Sequence, residues 1–572
     1  MADVGECSAA KSGGLINLSK RDPKNGERDC HRLMTKQCRL ALPLKKRYLK
    51  LRDGDPKIPF LRFRDWLSMM LLHNCMHILV GLVRPDHDRE HAILTAFWRN
   101  FELQEPTHPI FERARNGEII LGRTIPVLLH GDEGRSKKRS AFLVTNIHSV
   151  LGRGVEVELR TASRKHYLKM LPNFMGHSYT NRFLACAMHK SAYTGKKSYV
   201  FDILLERLAA ELAHVSSTGV TDRFGTQWWA VCVGIVGDWP WLQKSGSLER
   251  SFLNATKHRS AAGAPRVCRG ICHLCAAGQP GVPFEQVGTR HPTWRNTFLQ
   301  QSPFSRPSPF QVLPHAPGEN QLARLFHFDL FHCFHLGLAK NYLGSMIALL
   351  SQREPGTSID TRFEQLTAKY LGWCSTNGRP AHVQRLTKEM INWVSTTVYP
   401  TGGWHKGDLS TSLLLWVESR FLSEDWSDDD LLFLGGEAAV AANKFIRILY
   451  TSGVWLCSSD AAEVANYGFR FLRRYSDCAL RAFQRNLRHF VIQPKAHAMH
   501  HLFLSMLEAS SLGPVMSILC TSVQQDEDYI GRASRLSRHV SETHISERVC
   551  DRYLQSAYAQ WVKIGYIIRA GS

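Results

Sequence analysis

The hydrophobic period changes along this chain, and that change limits the folds open to it. Between Gly122 and Trp239 apolar residues come in continuous blocks, "GRTIPVLLHGDEG", "AFLVTNIHSVL" and "QWWAVCVGIVGDW". Beyond Leu338 they recur every third or fourth residue. The clearest case is "DAAEVANYGFRFLRRYSDCALRAFQRN", with apolar residues at Val464, Tyr467, Phe471, Ala479 and Phe483. Continuous apolar runs bounded by turn residues are buried strands, whereas a 3.6-residue period is helical. One chain must therefore build a sheet core and a large helical block, which makes it an α/β protein. A further strand is expected at "ARLFHFD". Helical sequence, including "YVFDILLERLAAELAHV", lies between the second and third strands.

The 572 residues divide by composition. Residues 1–58 are polar and basic and read as a flexible arm. It would be a phosphate contact, a nuclear address or simply a solvated tail. Residues 59–118 carry helical spacing. Residues 119–340 hold the strands, with a Gly-, Pro- and Ser-rich loop region at 242–320. Residues 341–520 are helical apart from the loop "YPTGGWHKGDLS", and 521–572 form a final helix and tail.

Lys plus Arg number 72 against 50 Asp plus Glu, a formal net charge of +22. Such a surplus favours a polyanion, most simply DNA, through phosphate contacts and counterion release. No apolar run reaches the roughly 18 residues that span a bilayer, and the first residues hold no secretory core. The expectation is an intracellular, nuclear protein that binds DNA, has no membrane partner and is able to form a homo-oligomer. The 15 cysteines sit mostly among apolar neighbours, as reduced buried thiols do. Trp228, Trp229, Trp239 and Trp241 are expected in the core.

Strands that end in acids invite a metal. Asp132 closes "IPVLLHGD" and Asp329 closes "LFHFD". The stretch "VQQDEDYIGRASRLSRHV" offers Asp526, Glu527 and Asp528 where a basic helix begins, although acids there also suit the helix dipole. Phosphoryl transfer on nucleic acids commonly uses two Mg²⁺ ions about 3.5–4 Å apart, held by a few carboxylates. Glu418 in "LLLWVESRF" rivals the third acid, and Asp238 rivals Asp132. Lys137, Lys138 and Arg139 follow the first acid. Arg532, Arg535 and Arg538 follow the third, every three residues, as one helix face able to hold DNA phosphates.

These motifs, in this order, resemble the DDE transposases with an RNase H-like core, most of all the CACTA (En/Spm-like) family. Asp132-Glu133-Gly134 is similar to that family's Asp-Gly motif with one residue inserted. Asp329-Leu330-Phe331-His332 matches its Asp-x-x-His motif, and Lys340-Asn341-Tyr342-Leu343-Gly344 follows as its Asn and Leu-Gly do. Glu527 stands four residues before Gly531, as the family's catalytic Glu stands before a Gly. The resemblance implies an RNase H-like core interrupted by a helical insertion. If the core is RNase H-like, the strands ending at Asp132 and Asp329 should be sheet neighbours with both carboxylates on one side. The resemblance also implies Mg²⁺ at Asp132, Asp329 and Glu527, with His332 orienting Asp329 or the substrate phosphate. The activity implied is DNA strand cleavage and transfer. A non-catalytic DNA-binding descendant, degenerate or domesticated, and a related nuclease are the alternatives. In the same family Asp238 belongs to a structural turn.

The stretch "CRGICHLC" groups Cys268, Cys272 and Cys275, and Cys272-x2-Cys275 has the spacing of half a tetrahedral zinc site. "PKAHAMHH" places His497 and His500 far downstream, and the resemblance extends to both places. Either these histidines complete the site, or Cys268 and a nearby histidine do. Reduced thiols in a turn are the competing reading.

Overall fold

The computed structural model describes residues 26–135, 141–158, 167–256 and 269–567. The strands, in chain order, are β1 (Arg47–Tyr48), β2 (Pro59–Phe60), β3 (Thr124–Arg135), β4 (Ala141–Ser149), β5 (Leu151–Glu158), β6 (Tyr167–Pro172), β7 (Phe183–His189), β8 (Val220–Thr221), β9 (Gln227–Gly237), β10 (Trp455–Leu456) and β11 (Val515–Met516). Seven of them form one mixed sheet in the order β1-β2-β7-β4-β3-β9-β8. β3 pairs antiparallel with β4 and parallel with β9, and β4 pairs antiparallel with β7. On β9 a single parallel bridge joins Ile235 to Phe326. The protein is thus a mixed α/β fold, as its alternating periods require.

β3, β4 and β9 are buried along almost their whole length, which is why they read as unbroken apolar runs. The helix Tyr199–Ser217 packs on β9, and the helices Gln524–Leu536 and Ile545–Lys563 pack on β3 and β7 respectively. Gly134 lets the first of these two helices approach. A Cβ there would meet Ser534 Oγ at 2.2 Å and Ile530 Cγ2 at 2.8 Å. The four tryptophans named above are buried.

The second half is built of the helices Ala339–Gln352, Ile359–Thr376, Gly407–Ser423, Asp430–Thr451, Ser458–Gln484 and Pro494–Ala509. A π-helical turn, Phe331–Leu338, leads directly into the first of them. Phe334 fastens that turn to the block, with ring centroids 5.0 Å from Phe445 and 5.6 Å from Phe471.

Several expectations need correction. Residues 26–58 are not a loose arm, because Leu42, Leu44, Leu49 and Ile58 are buried and β1 and β2 join the sheet. The segment before Asp329 is not a strand. It is a 3-10 turn, Gln321–Leu325, followed by the lone Phe326 bridge. β3 does not stop at Asp132 but runs to Arg135 against β4. Between the second and third expected strands lie β5, β6 and β7 as well as a helix. The helical block contains the small β10–β11 pair. Phe483 is 75% exposed rather than on the buried face, since its helix ends one residue later.

Candidate metal centres: an acidic cluster and a buried Cys2His2 group

Asp132 lies just past Gly131, the last β3 residue paired with β9, where the parallel neighbour ends. Asp329 stands just before the π-helical turn and accepts from the first two N–H groups of it, Phe331 N and His332 N. The two strand ends are not sheet neighbours as expected, because β9 stands between β3 and Phe326. The acids nonetheless converge. His332 Nδ1 lies 2.6 Å from Asp329 Oδ2, and its Nε2 lies 3.5 Å from Glu527 Oε1. Val523 N, just before the helix of Glu527, donates to Asp329 Oδ1 at 3.1 Å. The charge of Asp132 acts on both Glu527 and His332.

The electrostatics of this cluster are those of crowded anions. Burial and the neighbouring Asp132 push Glu527 up to about 8. The same two causes push Asp238 up to about 6. Burial opposes a charged His332, but the hydrogen bond to Asp329 and the charges of Asp329, Glu527 and Asp132 push it up to about 9. Glu527 Oε1 is buried without a hydrogen-bond donor. Crowded carboxylates raise one another in this way. Among the described residues, the group of metal-ligating side chains whose ligand atoms all lie within 4.8 Å of one another is Cys272, Cys275, His497 and His501, not this cluster. Asp329 is more heavily engaged. Its Oδ1 accepts from Phe331 N at 2.9 Å as well as from Val523 N, and its Oδ2 accepts from His332 N at 2.9 Å as well as facing His332 Nδ1. All four of its lone-pair positions therefore face a donor or the imidazole.

Burial separates the three acids of the helix. Asp526 is fully buried and takes two hydrogen bonds from Arg182, Nε to Oδ1 at 2.9 Å and Nη2 to Oδ2 at 3.1 Å. Burial would raise its carboxyl, but Arg182, His148 and His130 hold it far below the usual range. Asp528 accepts from Arg532 Nε at 2.6 Å and from Ser178 at 2.8 Å. Only Glu527 faces the cluster. Glu418 is buried in the helical block, bound to Asn443 and Arg447, and is a structural residue there. Asp238 caps the helix Trp239–Gly246 by accepting from Trp241 N at 2.8 Å. Glu133 points away from the cluster to Tyr193, Lys190 and Lys244.

The expected arginine face is broken up. Arg532 is tied to Asp528 and His177, Arg535 is exposed, and Arg538 lies beyond the helix end at Leu536. Lys137, Lys138, Arg139 and Cys268 fall outside the described residues.

A second centre is tighter. One ligand atom from each of Cys272, Cys275, His497 and His501 lies within 4.8 Å of the other three, and all four residues are buried. Cys272 Sγ is 3.5 Å from His501 Nε2, while Cys275 Sγ is 3.3 Å from His497 Nε2 and 3.4 Å from His501 Nε2. A tetrahedral zinc with bonds of about 2.3 Å to sulfur and 2.0–2.1 Å to nitrogen sets such atoms roughly 3.5 Å apart. The group could hold a metal ion, and its donors suit zinc. Burial would raise the Cys272 thiol, but the hydrogen bond with Cys275 and the charges of His501 and His497 hold it well below its ordinary value. Arg250 pins the knuckle, donating to the carbonyls of Cys272 at 2.6 Å and His273 at 3.0 Å.

His500, the expected ligand, is not one of the four. Its Nε2 lies 2.6 Å from Thr289 O instead. On the helix Pro494–Ala509 the pair that shares a face toward the cysteines is His497 and His501, at i and i+4. The motif "HAMHH" carried that signal.

No protein-family model matches the chain, and no curated protein matches it.

Proposed function

We propose that the chain is a metal-dependent DNA strand-cleaving and strand-joining protein of the DDE kind, with an RNase H-like core interrupted by its helical block. One observation carries the reading. Asp132, Asp329 and Glu527, separated by 329 − 132 = 197 and 527 − 329 = 198 residues, meet around His332 at the end of β9. The strand order β7-β4-β3-β9 followed by Phe326, with β3 and β9 parallel, supports an RNase H-like core. The net charge of +22 supports DNA as the partner.

Asp132 and Glu527 offer hard oxygens for Mg²⁺, with Asp329 as the third carboxylate. Bound there, Mg²⁺ would activate the attacking water or 3′-hydroxyl and stabilise the leaving oxygen. His332 orients Asp329. Asp526, locked to Arg182, fixes the helix so that Glu527 faces the strand ends.

A second reading, a DNA-binding descendant that no longer cuts, is favoured by the full engagement of Asp329. Incubating the purified protein with supercoiled plasmid and Mg²⁺ or Mn²⁺ tests the first. Nicking or linearisation that disappears in Asp329→Ala, with DNA binding retained, supports it. A protein that binds DNA and never cuts it leaves the descendant as the account.

A further inference from the structure

Of the helical stretch from Leu330 to Ser351, only Phe331, His332, Leu336 and Lys340 reach solvent. His332, Leu336 and Lys340 are spaced at i, i+4 and i+8, one stripe that begins in the acidic cluster. At its far end a second lysine arrives from the helix Pro494–Ala509. The side chain of Lys495 lies across Gly337, where a Cβ would meet its Cδ at 2.5 Å and its Nζ at 3.4 Å. Neither Lys340 nor Lys495 has a carboxylate within salt-bridge distance among the described residues, whereas Lys46, Arg64, Arg182 and Arg420 do. Burial and the like charge of Lys495 lower Lys340. Two half-buried cations held together without an anion cost stability, and a phosphate would offset that cost.

The loop "YPTGGWHKGDLS" adds to the same place. Gly402 N donates to Lys340 O at 3.0 Å, and Gly344 sits so close to Thr401 that a Cβ would meet its backbone at 2.7 Å. Gly407 is seated against the Phe331 ring, at 2.5 Å from an added Cβ. The loop is thereby fixed along the stripe, and it carries the exposed His405 and Lys406.

We propose that Lys340 and Lys495, flanked by His405 and Lys406, form a phosphate-binding subsite for the DNA strand that leads into the acidic cluster. The stripe from His332 to Lys340 is roughly 12 Å long by helical rise, about three to four base-pair steps of about 3.4 Å. The subsite therefore grips the backbone a few nucleotides from the acids and carries no base preference. It rests on the strand-transfer reading only for which strand it holds.

The test is a titration of fluorescent duplex DNA with the full chain at several salt concentrations. It compares the parent, Lys340→Gln/Lys495→Gln, and the control Lys57→Gln/Lys196→Gln, which removes two exposed charges from the β1–β2 side. The expected result is weaker binding and a salt slope lower by about one to two in the first pair only, because each lost phosphate contact is worth about 0.9. Its thermal midpoint should hold or rise, since repulsion is relieved. An unchanged slope, or a parent that binds no DNA, overturns the subsite. If the slope falls while no protein ever cuts, the subsite stands and the strand-transfer reading fails. If Asp329→Ala abolishes cutting while the lysine pair leaves the slope unchanged, the reverse holds.

Discussion

The Arg182–Asp526 pair gives the sharpest energetic prediction. Arg182 is 1% exposed and Asp526 is 0% exposed, joined by two hydrogen bonds. Arg182 Nη2 also donates to Asn173 O at 2.9 Å, and His148 lies 3.4 Å from Asp526 Oδ1. Removing one partner of a buried ion pair leaves an uncompensated charge and costs about 3–5 kcal/mol. Arg182→Met should do this to Asp526, and Asp526→Leu should do it to Arg182. Small proteins have a urea m-value of about 1–3 kcal/mol/M and a chain of 572 residues a larger one, so each single change lowers the unfolding midpoint by about 1 M or less. The double variant Arg182→Met/Asp526→Leu should recover much of that loss, because no charge then remains to be desolvated. Tryptophan fluorescence in a urea titration of the full chain reads all three. Single variants that unfold with the parent, or a double variant no better than the worse single, would refute the assignment of Asp526 as a structural lock for Glu527.

Two further outcomes follow from the buried groups. The purified protein should contain zinc, which Cys275→Ser and His501→Asn lose and His500→Asn keeps; chelation should lower the unfolding midpoint of the parent, and zinc loss in the His500 variant would displace His501 from the set. Burial lowers His148 to about 3 and His335 to about 4, below the unfolded value of about 6.5. The unfolded chain then takes up protons that the folded chain refuses. Stability present above pH 6.5 should fall by about 1.4 kcal/mol per pH unit for each of the two as the pH drops toward 4. Unfolding midpoints that are flat or rising on acidification would contradict this.

What could be read in the sequence follows from how local each signal is. Asp329-x-x-His332 is a single turn, so its geometry is encoded within four residues. The Cys272-x2-Cys275 half-site is equally local, but choosing between His500 and His501 required the helix face. Within Asp526-Glu527-Asp528 only burial separates the roles, since Arg182 and Ser178 come from more than 340 residues away. β7 was hidden because "FLACAMH" is rich in Ala and Cys, which suit a helix as well as a strand. The expected strand at Asp329 failed because one bridge, Phe326 to Ile235, is all the pairing there is. Arg538 left its face because the helix ends at Leu536 and His539 takes a left-handed φ of 60°.

The central claim is that Asp132, Asp329 and Glu527 act together on a divalent ion. Calorimetric titration of Mn²⁺ into the zinc-loaded protein tests it without needing a DNA substrate. The account predicts saturable binding in the parent, lost in Asp132→Asn and Glu527→Gln, while Glu418→Gln and Asp528→Asn bind as the parent does. Mn²⁺ binding that survives both cluster changes, or a parent that binds none, would contradict it.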